Sequence, residues 1–128
     1  MSARMRILVL DDEPIVGERL KASLERDGFH CDAFTSSREA MAKLKEEDYD
    51  ALITDLRMSP PDGMQILRTA REFRPGIKSV VITGFATKDT AREAMQSGAV
   101  AFIAKPFKMS QLKRLLLELL GGDAPARE

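Results

Sequence analysis

This chain is short of the residues that build disulfides, aromatic cores and surfaces of one sign. Its one cysteine, Cys31, excludes an internal disulfide and any metal cluster of cysteine type. Tryptophan is absent and tyrosine occurs once, so the core must be mainly aliphatic, with methionine, present seven times, as filler. Twenty basic and twenty acidic side chains cancel, and no global field points to nucleic acid or to a membrane surface. No apolar run approaches the roughly 20 residues of a membrane-spanning helix, and Met1–Arg6 leads into a strand-length run rather than a signal-peptide core. The 128 residues suffice for one domain that buries roughly two-thirds of its unfolded surface. The economical expectation is a cytoplasmic protein with no membrane contact and no direct nucleic-acid binding.

Strand-like and helix-like segments alternate five times. Ile7–Leu10, Phe29–Phe34, Ala51–Thr54, Val80–Ile82 and Val100–Ala104 read as strands, the second of them poorest in apolar residues and so near an edge. Pro14 opens a helix that carries Ile15, Val16, Leu20 and Leu24 and stops at Gly28. Ser36 with Glu39 reads as a capping box before Ala40, Met41 and Leu44. Gly63 begins a helix with Met64, Leu67, Ala70 and Phe73 on one side. Thr87 caps a helix carrying Ala91, Ala94 and Met95, and a last helix uses Leu112, Leu115, Leu116 and Leu119. Short continuous apolar strands are what a sheet covered on both faces requires. The expected fold is therefore α/β, a (βα)5 doubly wound five-stranded parallel sheet of order 2-1-3-4-5. Residues 5–120 make the domain, and 121–128 read as a flexible tail or linker stub.

Four of these runs stop at residues suited to one chemistry. The first runs into Asp11-Asp12-Glu13, the third into Asp55, the fourth ends at Thr83 and the fifth at Lys105-Pro106. In an open parallel sheet those ends share the edge where ligands bind. Crowded carboxylates repel, and a hard divalent cation such as Mg²⁺, bound by one or two carboxylates plus waters and phosphate oxygens, resolves the repulsion. Asp55, ending a central strand in an apolar setting, is the candidate nucleophile for an aspartyl phosphate. Lys105 would neutralise the transferring oxygens and Thr83 would donate a hydrogen bond to one of them. Each residue alone has a plainer reading: helix-dipole complement, turn former, strand end, surface lysine. Their recurrence in order at strand ends carries the functional one. His30 reads as a surface strand residue, with nothing coupling it to the acidic edge.

Val9-Leu10-Asp11-Asp12-Glu13-Pro14, Ile53-Thr54-Asp55-Leu56-Arg57-Met58 with Asp62-Gly63, Val81-Ile82-Thr83-Gly84 and Ala104-Lys105-Pro106-Phe107 together resemble the receiver domain of bacterial two-component response regulators. The resemblance implies a flavodoxin-like receiver fold. It implies Asp55 as phosphoacceptor, with Asp12, Asp55 and the backbone carbonyl of Arg57 holding Mg²⁺ and Asp11 acting mainly through water. It further implies Thr83 and Phe102 as a switch pair, Lys105 as a phosphoryl contact, and a cis Lys105–Pro106 bond. The phosphoryl group would come from a sensor histidine kinase or phosphotransfer protein. The chain would assist only its own phosphorylation and dephosphorylation, and so is not an enzyme in the ordinary sense. The readout would be the face of the fourth helix, fifth strand and fifth helix. Homodimerisation through it and plain core packing of the leucine-rich last helix are the two readings of that face.

The chain departs from the family's usual pattern at Ser59-Pro60-Pro61, and its switch ring is Phe102 rather than tyrosine. Arg57 and Phe85, bulky residues two after Asp55 and two after Thr83, are expected to flank the route of attacking water and to shield the acyl phosphate. Three rivals compete. A flavin-mononucleotide protein of this topology would need a phosphate cradle where Asp11-Asp12-Glu13 stands. A hydrolase of the haloacid dehalogenase type would need a second Asp where Arg57 stands. A phosphorylation-independent pseudo-receiver is the remaining alternative, and the full set of Asp11, Asp12, Asp55, Thr83 and Lys105 argues against it.

Overall fold

The computed structural model describes residues 3–121 and 126–127. Five strands, β1 (Arg6–Leu10), β2 (His30–Phe34), β3 (Ala51–Thr54), β4 (Lys78–Thr83) and β5 (Ala99–Ala104), pair in parallel in the order β2-β1-β3-β4-β5. The helices are α1 (Pro14–Arg26), α2 (Ser37–Glu46), α3 (Gly63–Phe73), α4 (Lys88–Ser97) and α5 (Met109–Leu120). This is the doubly wound α/β sheet of order 2-1-3-4-5 that the strand pattern implies. Ala3–Arg4 and Ala126–Arg127 form a separate antiparallel ladder. Of the tail read at 121–128, residues 122–125 and 128 lie outside the described residues.

The period of two along each strand splits the core into two layers. Leu8, Leu10, Leu52 and Val81 point to Ala40 and Leu44 of α2, Ile66, Leu67 and Ala70 of α3, and Ala94 of α4. Ile7, Val9, Ile53, Val80 and Ile82 point to Leu20 and Leu24 of α1 and Leu112 and Leu116 of α5. Each fully buried Leu or Ile contributes about 1.5–3 kcal/mol by leaving water, so two aliphatic layers suffice without tryptophan. Helix ends follow local chemistry. Ser36 Oγ accepts the Glu39 N–H at 3.3 Å, although the reciprocal half of the expected box is not made. Thr87 with Thr90 and Asp62 with Gln65 close both halves of theirs. Gly98 ends α4 at φ +123°, a conformation that residues with a Cβ rarely adopt.

Several features differ from the periodicity reading. β4 begins two residues earlier, because Lys78 and the buried Ser79 pair into the ladder despite their polarity. Ile15, Phe73 and Met95, read onto apolar helix faces, are 50%, 41% and 48% exposed. Phe73 falls in the last turn of α3, where Lys45 rather than a core residue lies over its ring at 5.3 Å.

Candidate functional site

The strand register carries the site residues to one level. Leu10 pairs with Thr54, and the ladder continues one residue further: Asp55 N–H donates to the Leu10 carbonyl at 3.0 Å and Asp11 N–H to the Phe34 carbonyl at 3.1 Å. Thr83 pairs with Ala104, and Lys105 N–H donates to the Thr83 carbonyl at 2.8 Å. Asp11, Asp55, Thr83 and Lys105 therefore sit together at the C-terminal edge of the sheet.

Lys105 Nζ lies 2.7 Å from Asp11 Oδ2, 2.9 Å from Asp55 Oδ2 and 3.7 Å from Glu13 Oε1. The free oxygens are also held: Asp11 Oδ1 accepts the Glu13 N–H at 2.9 Å and Asp55 Oδ1 the Arg57 N–H at 3.2 Å. Asp11 is wholly buried and Asp55 nearly so. Burial pushes the Asp11 carboxyl above its usual range, against the pull of the Lys105 hydrogen bond. For Lys105 burial acts downward, yet its hydrogen bonds to Asp11 and Asp55 outweigh it and hold the ammonium charged well above its ordinary range. The result is a fixed cation shared by two carboxylates.

Asp12 is exposed on the other side of this pair. With Glu13, Asp55, Arg57, Met58, Ser59 and Phe85 it lines an open cleft of about 510 Å³. Among the described residues no group of three or more carboxylate, imidazole or thiol side chains is gathered to hold a metal ion. The structure thus divides the expected carboxylates: Asp11 is tied up with Lys105, whereas Asp12 and Asp55 face the cleft with Arg57. Two carboxylates in the lining of a cleft open to water suit Mg²⁺, which keeps several waters and wants few protein ligands.

Loop geometry fixes the acceptor. A Cβ on Gly63 would stand 2.6 Å from the Asp55 carbonyl oxygen and 2.5 Å from Leu56 Cα, so only glycine lets α3 start against the β3 end. The Lys105–Pro106 bond is cis, and so is Pro60–Pro61. Thr83 Oγ1, fully buried, accepts the Phe85 N–H at 3.2 Å. The Phe85 carbonyl in turn accepts from Thr90 Oγ1 at 2.9 Å, tying the β4–α4 loop to the first turn of α4. Phe102 is half-buried on β5, packed against the α2–α4 layer and lining a groove with Gln111, Arg114 and Leu115.

Two parts of the site escape a reading by sequence. The Arg57 guanidinium lies 3.8 Å from the centre of the Phe85 ring, a contact between loops 28 positions apart. Thr90 as loop anchor was signalled only by its spacing of three from Thr87. His30 sits at the opposite edge of the sheet, its Nε2 3.3 Å from Asp32 Oδ1.

A family model of the response regulator receiver domain matches residues 7–117. The transcriptional regulatory protein QseB of Haemophilus influenzae is 32% identical over 116 residues, 91% of this chain and 52% of QseB. The chain thus spans about half the length of that relative, and about a quarter of others such as ZraR of Klebsiella oxytoca. The beryllofluoride-activated NtrC4 receiver domain dimer superposes with TM-score 0.84 and 34% identity, over 90% of this chain and 95% of that one. A response regulator of Burkholderia pseudomallei, solved with a phosphorylated aspartic acid, calcium ion and citrate, superposes with TM-score 0.81 and 26% identity, over 85% and 64%.

Proposed function

Because the chain belongs to the response regulator receiver domain family, we propose that it accepts a phosphoryl group on Asp55 from a sensor histidine kinase or a phosphotransfer protein. The observation that carries this reading is the Lys105 ammonium bridging Asp11 and Asp55, with Asp55 in the lining of an open acidic cleft. An Asp55 oxygen forms the new bond to phosphorus, the donor's P–N bond breaks, and its electron pair leaves on the donor imidazole. Asp12, Asp55 and the Arg57 carbonyl would hold Mg²⁺, with Asp11 acting through water. When bound, that ion neutralises charge on the transferring oxygens. The chain assists only its own phosphorylation and dephosphorylation, in the cytoplasm.

Phosphorylation converts one carboxylate oxygen into a phosphoryl group with a charge of about −1.5 to −2. Lys105 moves its hydrogen bond from Asp55 to a phosphoryl oxygen, and Thr83 turns its hydroxyl from the Phe85 N–H toward another. Two charge-assisted hydrogen bonds at about 1.5–3 kcal/mol each come close to the roughly 5.5 kcal/mol that shifts a two-state equilibrium from 1:99 to 99:1. The β4–α4 loop loses its anchor on Thr83, and Phe102 follows inward. The readout face is α4, β5 and α5, where Met95, Val100 and Leu117 are exposed. A second copy of this chain is its proposed occupant, as a homodimer.

The test is incubation with a labelled small phosphodonor, with Mg²⁺ or with chelator. The expected result is a metal-dependent label that hydroxylamine removes, the signature of an acyl phosphate. A label that forms equally in chelator, or that resists hydroxylamine, refutes the reading.

A further inference from the structure

A second cleft, of about 410 Å³, opens at the N-terminus of α2. It is lined by residues 35–38, which lead β2 into α2, by residues 58–60 of the β3–α3 loop, and by Asp12. It shares Asp12, Met58 and Ser59 with the cleft described above, but not Asp55, Arg57 or Phe85. The run Ser59-Pro60-Pro61, where this chain departs from the usual receiver pattern, thus supplies Ser59 and Pro60 to a cavity that phosphoryl transfer does not use.

Ser37 is the residue that points to a ligand there. It is only 5% exposed, and its Oγ is buried with no hydrogen-bond partner among the described residues. A buried hydroxyl normally finds a partner, and one left without costs free energy. Other free donors gather beside it. Ser36 Oγ accepts the Glu39 N–H and the Ser36 carbonyl accepts the Ala40 N–H. That leaves the amides of Ser37 and Arg38, the first two of α2, with no partner among the described residues. They carry the positive end of a ten-residue helix. Thr35 and Arg38 are exposed, and neither side chain makes a hydrogen bond or ion pair among the described residues.

Amides, hydroxyls and a guanidinium at one helix end are the donor set of a phosphate site. The cavity has the size of a small-molecule site rather than of one ion. Asp12, the one carboxylate of the lining, repels an anion beside it but accepts a hydrogen bond from a hydroxyl. Glu39 lines the neighbouring cleft with Pro14 and Gly17, not this one.

We propose that this cleft binds a small phosphorylated polyol. Its phosphate takes the Ser37 and Arg38 amides, the Ser37 hydroxyl and the Arg38 guanidinium, and a hydroxyl of its carbon chain donates to Asp12. Binding is non-covalent, and it does not depend on Asp55 as phosphoacceptor.

The test is a titration of the full chain in chelator, so that no metal holds phosphate against Asp55, read by two-dimensional amide NMR. The probes are glycerol phosphate, inorganic phosphate and glycerol. Glycerol phosphate is expected to move the Ser37 and Arg38 amides saturably, with half-saturation at or below about 1 mM. Inorganic phosphate moves the same amides at concentrations several-fold higher, and glycerol moves neither. Ser37→Ala and Arg38→Gln each raise the half-saturating concentration of glycerol phosphate roughly tenfold, the worth of one charge-assisted hydrogen bond. In Asp12→Asn the advantage of glycerol phosphate over inorganic phosphate disappears. Ser37→Ala removes an unpaired buried hydroxyl, so its urea midpoint without ligand is expected to be no lower than that of wild type. Arg38 is exposed, so its variant reads binding without disturbing the core. Shifts centred on Arg57 or Lys105, the absence of a saturable shift, or wild-type affinity in both Ser37→Ala and Arg38→Gln overturn the proposal. An advantage of glycerol phosphate that survives in Asp12→Asn overturns its polyol part.

Discussion

Replacing Lys105 by methionine keeps an apolar stem of similar length and removes the charge. In the folded chain the ammonium lies 2.7 Å from Asp11 and 2.9 Å from Asp55, attractions of about 6 kcal/mol each at an effective dielectric of about 20. Desolvation offsets most of this, because Asp11 is wholly buried. Removing the cation leaves two carboxylates facing each other in the sheet edge, and loss of one partner from a buried ionic cluster costs about 3–5 kcal/mol. The lower end, about 3 kcal/mol, applies here, since Lys105 is 19% and the Asp55 side chain 10% exposed. Burial already holds the Asp11 carboxyl above its usual 3.8, and the Lys105 hydrogen bond opposes that rise. Without Lys105 the folded-state pKa climbs further above the unfolded one. A carboxyl of that kind favours folding when protonated, so its cost is full at neutral pH and fades as pH falls through the raised pKa. Urea unfolding of wild type and Lys105→Met, without Mg²⁺, reads this directly. The expected deficit is largest near pH 7.5 and clearly smaller near pH 5, and added Mg²⁺ recovers part of it. A deficit under about 0.5 kcal/mol, the scale of an exposed ion pair, or one that does not change with pH, refutes the shared-cation account.

Further outcomes follow from other parts of the structure. Gly63→Ala puts a Cβ 2.6 Å from the Asp55 carbonyl oxygen and 2.5 Å from Leu56 Cα; backbone must move, costing about 1–3 kcal/mol in urea unfolding, and phosphorylation of Asp55 slows with it. An Arg57→Ala, Phe85→Ala double substitution strips the stack from the cleft, and phosphorylated protein is expected to lose its label several-fold faster; an unchanged rate of autodephosphorylation counts against shielding. Hydrogen bonds from Lys43 and Arg6 pull the Glu47 carboxyl from 4.5 to about 2. A depressed carboxylate stabilises above its unfolded pKa and loses that contribution as pH falls through the folded one. Thermal melts of wild type minus Glu47→Gln should therefore converge as pH drops from about 4.5 towards about 2, and a constant difference contradicts the pairing.

The sheet and its active edge were legible for one physical reason. Strands buried on both faces write themselves as unbroken apolar runs, and the residue after each run inherits the sheet's C-terminal edge. Asp11, Asp55 and Lys105 are of that kind, each carried by the ladder one residue past its strand, and Thr83 is the last residue of β4. Periodicity misjudged positions where the helix stripe outruns what covers it: Ile15 in the first turn of α1, Phe73 in the last turn of α3 and Met95 on α4. It also shortened β4, since Lys78 and Ser79 pair through their backbone whatever their side chains. The Arg57–Phe85 stack was half legible. Each residue was marked by its distance from Asp55 or Thr83, but contact between two loops depends on where both lie in space. The sharing of Lys105 between Asp11 and Asp55, which leaves Asp12 as the exposed carboxylate, likewise needed coordinates.

The central claim, that Asp55 is the phosphoryl acceptor, is tested most directly by one comparison. Wild type and Asp55→Asn, each confirmed as folded by circular dichroism, are incubated with labelled acetyl phosphate and Mg²⁺. The label should accumulate on wild type and be absent from Asp55→Asn, because the amide oxygen that replaces the carboxylate is no nucleophile for phosphorus. Equal labelling of the two proteins would contradict it.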